Sequence, residues 1–214
     1  MARIAVLGGT GYTGGHVVRE AASRGHHVTA YSRNAPEAPV EGVHYLQGSM
    51  TEEGAVAGAV AGQDVVVEAL APRGELAGRL EGLVLDAARL AAEQGARLVV
   101  VGGWSGLRPA EGEPRFSEGD DVPEAFKAEV EEMVRVLEAL EQHAPEGLDW
   151  LFVSPAQVYG SYAPGEALGR YRVGGPVALF DEQGASAVSG ADFALAIVDE
   201  IERHERTGHI GVAY

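Results

Sequence analysis

The sequence predicts an α/β fold in which helices cover both faces of a doubly wound, mainly parallel sheet. Short apolar runs alternate along the chain with longer segments that carry apolar residues at helical spacing. Residues 98–101 are wholly apolar, which is typical of a strand buried at the centre of a parallel sheet. Strand–helix alternation of this kind implies right-handed crossovers, and therefore a sheet between two layers of helices.

The predicted strands are the short apolar runs, and the predicted helices are the periodic segments between them. Strands are expected at residues 3–7, 27–31, 43–46, 64–68, 97–101, 149–153 and 210–213. Helices are expected at residues 12–24, 51–60, 76–91, 126–140 and 191–203, with Thr51 capping the second and Ser189 or Gly190 capping the last. Residues 104–123 and 159–176 match neither periodicity, and irregular segments of this length are often functional.

The composition excludes several kinds of partner and chemistry. A formal net charge of -16 at pH 7 repels phosphate, so neither nucleic acid nor an anionic membrane is an expected partner. The chain has no cysteine, which excludes thiolate catalysis, and its seven histidines lack metal-binding spacing, so no metal is expected. The N-terminal apolar run, residues 4–7, is too short for a signal-peptide core, which favours a cytoplasmic protein. The protein is expected to be a monomer or a small homo-oligomer.

A glycine-rich loop joins the first predicted strand to the first predicted helix. Its glycines have the spacing G-x-x-G-x-x-G at Gly8, Gly11 and Gly14. In this context glycine permits a tight turn, the approach of a pyrophosphate to the backbone, and close packing of helix on sheet. Amides at the start of the helix then attract the diphosphate. The sequence therefore predicts a Rossmann-type domain that binds a nicotinamide dinucleotide through Gly8, Thr10, Gly11, Tyr12, Thr13 and Gly14.

The end of the second strand favours NADP(H) over NAD(H). An acidic residue there, ~20 residues beyond the loop, would bind the ribose hydroxyls of NAD. The sequence instead reads Tyr31-Ser32-Arg33-Asn34, without an acid. Arg33 offers a bidentate partner for a 2′-phosphate and Ser32 offers a hydroxyl donor. The alternative is that Arg33 is a plain surface arginine.

The ends of the later strands are expected to border the same cofactor, because open α/β sheets bind ligands at the carboxyl ends of their strands. Gly48 and Ser49 would flank the adenine. Arg73 would add a second phosphate contact, unless it is simply exposed to solvent. Ser105 would bond to the nicotinamide amide or the substrate, unless it only caps a turn. The other expected cofactor contacts are Ala69, Leu70, Ala71, Gly102, Gly103, Trp104, Ser154 and Pro155.

The loop, the Ser32-Arg33 pair and the order of strands resemble the atypical short-chain dehydrogenase/reductase superfamily. The second half of the chain resembles, more specifically, the NADH-flavin reductase group, which is related to NmrA-like and biliverdin-reductase-B/flavin-reductase proteins. This resemblance is carried by Asp149-Trp150, Ser154-Pro155-Ala156, Gly165-Glu166, Gly169-Arg170-Tyr171-Arg172, Gly184-Ala185-Ser186, Ser189-x-x-Asp192 and Val212-Ala213-Tyr214. It covers essentially the whole chain and implies an NAD(P)H-dependent reductase.

The chain departs from the wider superfamily at one catalytic position. Members usually carry Tyr-x-x-x-Lys on the helix after the fifth strand, where the tyrosine exchanges a proton and the lysine lowers its pKa. Here Lys127 lies on the corresponding helix, but Pro123 occupies the tyrosine position. Carbonyl–alcohol chemistry through that tyrosine is therefore not expected. Lys127 is expected to pair with Glu131 on the helix surface, which leaves Ser105 as the candidate catalytic side chain.

Reduction of a flavin or quinone does not require that tyrosine, because the cofactor supplies the hydride and the protein aligns two rings. We therefore expect an NADPH-dependent oxidoreductase whose acceptor is a flavin, a quinone or a similar planar molecule. Tyr159, Tyr162 and Tyr171 would stack on this acceptor, unless they are packing aromatics. Residues 155–190 would form a small substrate-side extension of one domain that spans residues 1–214.

Two other functions stay open at this stage. A non-catalytic NADP(H)-sensing regulatory protein of the NmrA-like kind would lack the tyrosine equally well. A sugar-nucleotide epimerase or dehydratase would normally need both the tyrosine and a larger C-terminal lobe than this chain has.

Two surface assignments complete the sequence-based predictions. The acidic residues of the fourth predicted helix are expected to form a solvated face, and they are Glu124, Glu131, Glu132, Glu138 and Glu141. His204 and His209 are expected to lie at the surface near the C-terminus. Ser189 and Asp192 have the spacing of a helix N-cap arrangement.

Overall fold

The computed structural model describes residues 1–119 and 122–214, and eight strands of this part form one sheet. The strands are β1 (Arg3–Leu7), β2 (His27–Ser32), β3 (His44–Gln47), β4 (Val65–Glu68), β5 (Arg97–Val101), β6 (Trp150–Pro155), β7 (Arg172–Gly174) and β8 (Gly208–Ala213). Their order is β3-β2-β1-β4-β5-β6-β8-β7, and neighbouring strands are parallel except for β7 and β8. The winding direction therefore reverses between β1 and β4.

Helices cover both faces of this sheet, and they are α1 (Tyr12–Ser23), α2 (Ala55–Val60), α3 (Leu80–Gln94), α4 (Lys127–His143) and α5 (Gly190–Arg203). One face carries α1 and α5, and the other carries α2, α3 and α4. In β1, Ile4 and Val6 face the first layer while Ala5 and Leu7 face the second. The doubly wound, Rossmann-type fold is thus confirmed. No helix within residues 1–119 and 122–214 is long and apolar enough to cross a membrane.

The second helix is shorter than predicted and starts later. It was expected to begin with Thr51 as its cap, but α2 begins at Ala55. The hydroxyl of Thr51 bonds instead to the hydroxyl of Ser49, 2.8 Å away. Gly54 precedes the helix with φ +77, a left-handed conformation that interrupts helical geometry at this point. The helix therefore cannot extend back to Thr51.

The sequence did not predict β7, the antiparallel edge strand inside the irregular residues 159–176. It has three residues and ends in a glycine, so it carries no periodic signal. Its pairing with β8 joins Val173 to Val212. The guanidinium of Arg172 also donates to the carbonyls of Phe180 and Tyr214. This strand therefore attaches residues 155–190, called the C-terminal extension below, to the edge of the sheet.

The predicted solvated face of α4 is wrong at Glu132. Glu124 and Glu131 are exposed as expected, but Glu132 is buried. Its two carboxylate oxygens accept hydrogen bonds from the amides of Gly78 and Leu80, each at 2.7 Å. Leu80 is the first residue of α3, whose early amides have no acceptor within the helix. Glu132 therefore caps a neighbouring helix from a distance in sequence.

Two further acids of α4, Glu138 and Glu141, form ion pairs with a buried arginine. Arg115 pairs with Glu138 at 3.0 Å and with Glu141 at 2.8 Å. This attaches the described part of the irregular segment, residues 104–119, to α4. Lys127 pairs with Glu124 at 2.7 Å, so the predicted pairing with Glu131 is also wrong.

The two C-terminal histidines have different environments. His204 is exposed, as predicted, and lies 2.7 Å from the carboxylate of Asp149. His209 is instead largely enclosed, because its strand β8 pairs with β6. Its Nε2 lies 2.9 Å from the hydroxyl of the fully buried Ser154. Burial lowers the pKa of His209 to about 4, and Arg115 acts in the same direction, so the ring is neutral at pH 7.

Candidate functional site

A cleft of about 950 Å³ opens at the carboxyl ends of the parallel strands, where the winding reverses between β1 and β4. Open α/β sheets bind ligands at such a crevice, because neighbouring loops diverge there. The cleft is lined by segments that follow β1 to β6 and by the first turns of α4. The sequence-predicted residues in its lining are Gly8, Thr10, Gly11, Tyr12, Thr13, Ser32, Arg33, Gly48, Ala69, Leu70, Ala71, Arg73, Gly102, Gly103, Trp104, Ser105, Pro155, Tyr159 and Tyr162.

Four predicted site residues lie outside this lining. Ser154 is fully buried beside His209, so the structure does not bring it to the cleft. The segment leading into β7 carries Tyr171 towards α5, where its hydroxyl bonds to Asp199. Gly14 and Ser49 adjoin the cleft without lining it.

The glycine loop is packed so closely that several of its positions exclude a side chain. Gly8 has φ +84, and a Cβ there would lie 2.6 Å from the carbonyl oxygen of Ala69. A Cβ at Gly14 would lie 2.2 Å from the carbonyl oxygen of Gly8. The amides of Gly8 and Gly9 both donate to the carbonyl of Tyr31, at 2.9 and 3.0 Å. The loop is therefore fixed between β1, β2 and β4, with α1 starting directly beneath it.

The geometry of this loop fits the diphosphate of a dinucleotide. Gly11 precedes α1 in an extended conformation and gives no side-chain cap to the helix. The first turn of α1 contains no acidic residue. The early amides of a helix lack acceptors of their own and attract an anion placed before them. The start of α1 is therefore open to a phosphate group from the cleft.

At the end of β2, the cleft contains an acid that the sequence pattern did not indicate. The side chain of Arg33 is 62% exposed, and its Nη1 lies 3.8 Å from a carboxylate oxygen of Glu75. The hydroxyl of Ser32 donates to the carbonyl of Asn34 at 2.8 Å. Glu75 belongs to the turn after β4, so only the folded chain brings it beside β2. The cleft therefore holds both an arginine and a carboxylate where the adenosine ribose of a dinucleotide is expected.

The segment after β4 is connected to α4 across the cleft. Arg73, predicted as a second phosphate contact, forms an ion pair with Glu129 of α4 at 2.7 Å. Just before it, Glu68 is fully buried, and its Oε1 accepts a hydrogen bond from the amide of Leu70 at 2.7 Å. Burial raises the pKa of Glu68 to about 8, although the Leu70 amide acts against this shift.

The residues that follow β5 form the floor of the cleft next to the expected nicotinamide position. A Cβ at Gly102 would lie 2.0 Å from the ring of Phe152, so this position tolerates only glycine. Trp104 stacks on Phe116 with ring centroids 4.6 Å apart, and the ring of Phe180 lies perpendicular to Trp104 with centroids 5.8 Å apart. Ser105 lies in the same short turn and lines the cleft. The floor therefore combines bare backbone, a fixed indole ring and one hydroxyl group.

Tyr159 connects the C-terminal extension to the glycine loop. Its hydroxyl lies 2.6 Å from the hydroxyl of Thr13, and its ring packs edge-to-face with that of Tyr12, with ring centroids 5.5 Å apart. Burial raises the pKa of Tyr159, while the bond to Thr13 acts against the shift. The phenol therefore stays protonated at neutral pH and positions the loop. Tyr162, by contrast, is 79% exposed at the cleft and is free to contact a ligand.

The extension is held in place by a carboxylate at the start of α5. Ser189 caps α5 and accepts a hydrogen bond from the amide of Asp192, which confirms the predicted cap. Asp192 in turn accepts bonds from the amides of Leu168 and Gly169, at 2.7 and 2.9 Å, and from Tyr214. Burial alone would raise the pKa of Asp192, but these hydrogen bonds outweigh it and lower the pKa. The anion therefore fixes the segment that follows Tyr162.

Sequence reasoning missed much of the wall opposite the glycine loop. Phe126, Val130 and Met133 form an apolar stripe at helical spacing in the fourth predicted helix, and the sequence did not assign them to the site. In the structure this stripe also lines the cleft, and the side chain of Phe126 is 49% exposed. Met50 and Gln157 line it too, without any sequence signal. An apolar stripe predicts burial against something, and the pattern does not distinguish a ligand from a neighbouring helix.

The sequence of residues 8–204 matches the family described as NAD(P)H-binding. This chain belongs to the NAD(P)H-binding family. The match begins at the first glycine of the loop and includes all the elements that line the cleft. Membership supports a nicotinamide dinucleotide as the cofactor and leaves the choice between NAD and NADP open.

Three solved structures resemble this chain over all or nearly all of its length. A candidate exported protein from Burkholderia pseudomallei is 37% identical, with a TM-score of 0.83 and coverage of 100% of both chains. A candidate NADH-flavin reductase from Streptococcus pneumoniae is 27% identical, with a TM-score of 0.82, covering 100% of this chain and 99% of the other. A candidate epimerase from Bacteroides thetaiotaomicron is 26% identical, with a TM-score of 0.85 and coverages of 99% and 96%.

Proposed function

We propose that this protein is an NADPH-dependent oxidoreductase that transfers hydride to a planar acceptor such as a flavin or a quinone. The observation that carries the proposal is a single cleft with two different halves. One half has the glycine loop and Arg33, and the other is mainly apolar and rich in aromatic side chains, with its acid Glu129 paired to Arg73. Family membership supports the nicotinamide cofactor, and the likeness to a candidate NADH-flavin reductase supports this class of acceptor.

In the cofactor half, the chain offers one group for each part of NADP(H). The glycine loop and the start of α1 would hold the diphosphate. Arg33 and Ser32 would hold the 2′-phosphate, because a guanidinium binds phosphate in bidentate geometry. Gly102 and Gly103 would leave room for the nicotinamide ring. Reduced nicotinamide supplies the hydride when it is bound.

In the acceptor half, the residues of the chain position a ring and keep water away. Trp104 is fixed by its stacking on Phe116, so it presents an ordered aromatic surface at little conformational cost. Phe126 and Tyr162 are exposed aromatic side chains of the same cleft, available to cover a planar molecule. The hydroxyl of Ser105, which lines this cleft, would donate a hydrogen bond to the reduced acceptor. With Pro123 at the usual tyrosine position, we propose that solvent supplies the remaining proton.

The proposal is tested by anaerobic steady-state oxidation of NADPH with riboflavin, flavin mononucleotide and a small benzoquinone. We expect turnover with at least one of them, and a lower rate with NADH than with NADPH. Because the proposal assigns the Trp104 ring to the acceptor instead of the cofactor, we also expect Trp104→Ala to lower kcat/KM for the acceptor more than it weakens NADPH binding. A protein that only senses its cofactor would bind NADPH and leave every acceptor unreduced, and that result would contradict the proposal.

A further inference from the structure

The carboxylate of Glu75 lies between groups to which the sequence assigned the adenosine end of the cofactor. Its Oε1 is 2.8 Å from the hydroxyl of Ser49, which follows β3, and 3.8 Å from Nη1 of Arg33, which follows β2. Both Glu75 and Arg33 line the cleft. At 3.8 Å the two groups form an ion pair without a hydrogen bond, and the carboxylate lies on the side of Arg33 where a phosphate oxygen would bind.

The two residues before Glu75 fix the position of the turn that carries it. Gly74 adopts φ +60, and a Cβ on it would lie 3.9 Å from Nη1 of Arg33. The preceding Arg73 is anchored to Glu129 of α4 by an ion pair of 2.7 Å. The short turn that contains Glu75 is therefore attached on its other side and approaches Arg33 closely.

We propose that Glu75 determines how strongly this protein discriminates between NADP(H) and NAD(H). The inference rests on the proposed function, in which Arg33 holds the 2′-phosphate. That phosphate has to displace the Glu75 carboxylate from Arg33 and is repelled by it, because both groups are anionic. The 2′-hydroxyl of NAD(H), in contrast, donates a hydrogen bond to a carboxylate. Glu75 thus lowers the affinity for NADP(H) and keeps NAD(H) as a usable cofactor.

The charges around the cleft strengthen this competition. The two basic residues of its described lining are Arg33 and Arg73, and each lies beside a carboxylate. The whole chain has a formal net charge of -16 at pH 7. An incoming 2′-phosphate therefore depends on the release of Arg33 from Glu75.

The experiment is a fluorescence titration of the purified full chain with NADPH and with NADH, which measures binding without any acceptor. The central variant is Glu75→Gln, which removes the charge and keeps an oxygen that accepts from Ser49. The matched control is Glu93→Gln, which removes one negative charge from an exposed ion pair with Arg89 on α3, outside the cleft. Arg33→Ala, alone and combined with Glu75→Gln, tests the assumption about the 2′-phosphate.

We expect Glu75→Gln to tighten NADPH about tenfold, equivalent to about 1.4 kcal/mol, and to change NADH affinity less than about twofold. Glu93→Gln should move neither affinity, and the gain in NADPH affinity should largely disappear when Arg33 is also replaced. An equal change for both cofactors, or no change, in Glu75→Gln would overturn the inference alone if Arg33→Ala still weakens NADPH selectively. If Arg33→Ala weakens both cofactors equally, or if neither binds, the proposed function fails together with the inference.

Discussion

At the residue scale, burial in the fold raises the pKa of Glu68. It ends β4 next to the lining residues Ala69 and Leu70, and its side chain is fully buried. Burial raises its pKa to about 8, whereas an unperturbed glutamate has a pKa of about 4.3. The folded protein therefore keeps the carboxyl neutral at pH 7, while the unfolded chain releases the proton.

This difference predicts a pH-dependent effect of Glu68→Gln on stability. A group whose pKa is raised in the folded state stabilises the protein fully only below its pKa in the unfolded chain. This contribution to the free energy of unfolding is lost as pH rises towards about 8. Glutamine stays neutral and can still accept from Leu70. The melting temperature of Glu68→Gln should match the parent at about pH 4, below the unfolded pKa, and exceed it by several degrees at about pH 9. A difference in melting temperature that does not change with pH would contradict this explanation.

At the residue scale, local sequence was sufficient for the glycine loop and insufficient for the buried polar groups. Gly8 and Gly14 are set by their immediate neighbours in a strand–loop–helix unit, so their spacing was informative. Glu75, Glu132 and His209 acquire their roles from elements far along the chain. Their spacing alone therefore predicted ordinary surface residues, or no role.

At the scale of elements, a buried carboxylate of α4 caps the start of α3, next to the apolar side chains that pack between the two helices. Glu132 of α4 accepts from the amides of Gly78 and Leu80, both at 2.7 Å, at the start of α3. A buried amide left without an acceptor costs about 1–3 kcal/mol. The relative position of the two helices, and with it one wall of the cleft, depends on this contact.

We expect Glu132→Ala to lower the free energy of unfolding by about 1–3 kcal/mol, because the buried amide of Leu80 loses its acceptor and the partly buried amide of Gly78 is left to water. Glu131→Ala is the matched control, since Glu131 is the exposed neighbour on the same helix. Urea denaturation followed by circular dichroism measures both variants. Similar losses in the two variants would show that the effect is one of helix propensity instead of capping.

Elements with strong periodicity were predictable, and elements defined by tertiary contacts were not. The strand β5 was located at its observed bounds because every residue after Arg97 is apolar. The helix α2 was predicted too long because a left-handed Gly54 interrupts it. The strand β7 was missed because three residues at a sheet edge depend on pairing with β8.

At the scale of the whole molecule, charge predicts which planar acceptors the cleft favours. The acceptor half is lined mainly by uncharged residues such as Trp104, Phe126 and Met133, and its acid Glu129 is paired with Arg73. The formal net charge of the chain is -16 at pH 7. A phosphorylated acceptor would meet this negative field, and both arginines of the described lining, Arg33 and Arg73, already lie beside carboxylates.

We therefore expect kcat/KM to be higher for riboflavin than for flavin mononucleotide, which carries a phosphate. The difference should narrow as ionic strength rises, because salt screens the repulsion. Steady-state rates at low and high salt measure this directly, with an uncharged quinone as the control that salt leaves unchanged. A preference for flavin mononucleotide that weakens with salt would indicate a cationic acceptor site instead.

The fold of the whole molecule followed from the sequence, whereas the acceptor half of the cleft did not. Alternating strands and helices determine the sheet and place the glycine loop where the winding reverses. The walls contributed by α4 and by Tyr162 depend on how the later elements pack. The sequence therefore indicated the cofactor more clearly than the acceptor.

The central claim is hydride transfer between NADPH and a planar acceptor within one cleft. The most direct measurement is anaerobic single-turnover reduction of riboflavin by the preformed complex with NADPH, compared with NADPH deuterated at the transferred position of C4. The claim predicts slower reduction with the deuterated cofactor and deuterium in the reduced flavin formed before exchange with solvent. NADPH that binds tightly but is oxidised no faster than in free solution, with no isotope effect, would contradict it.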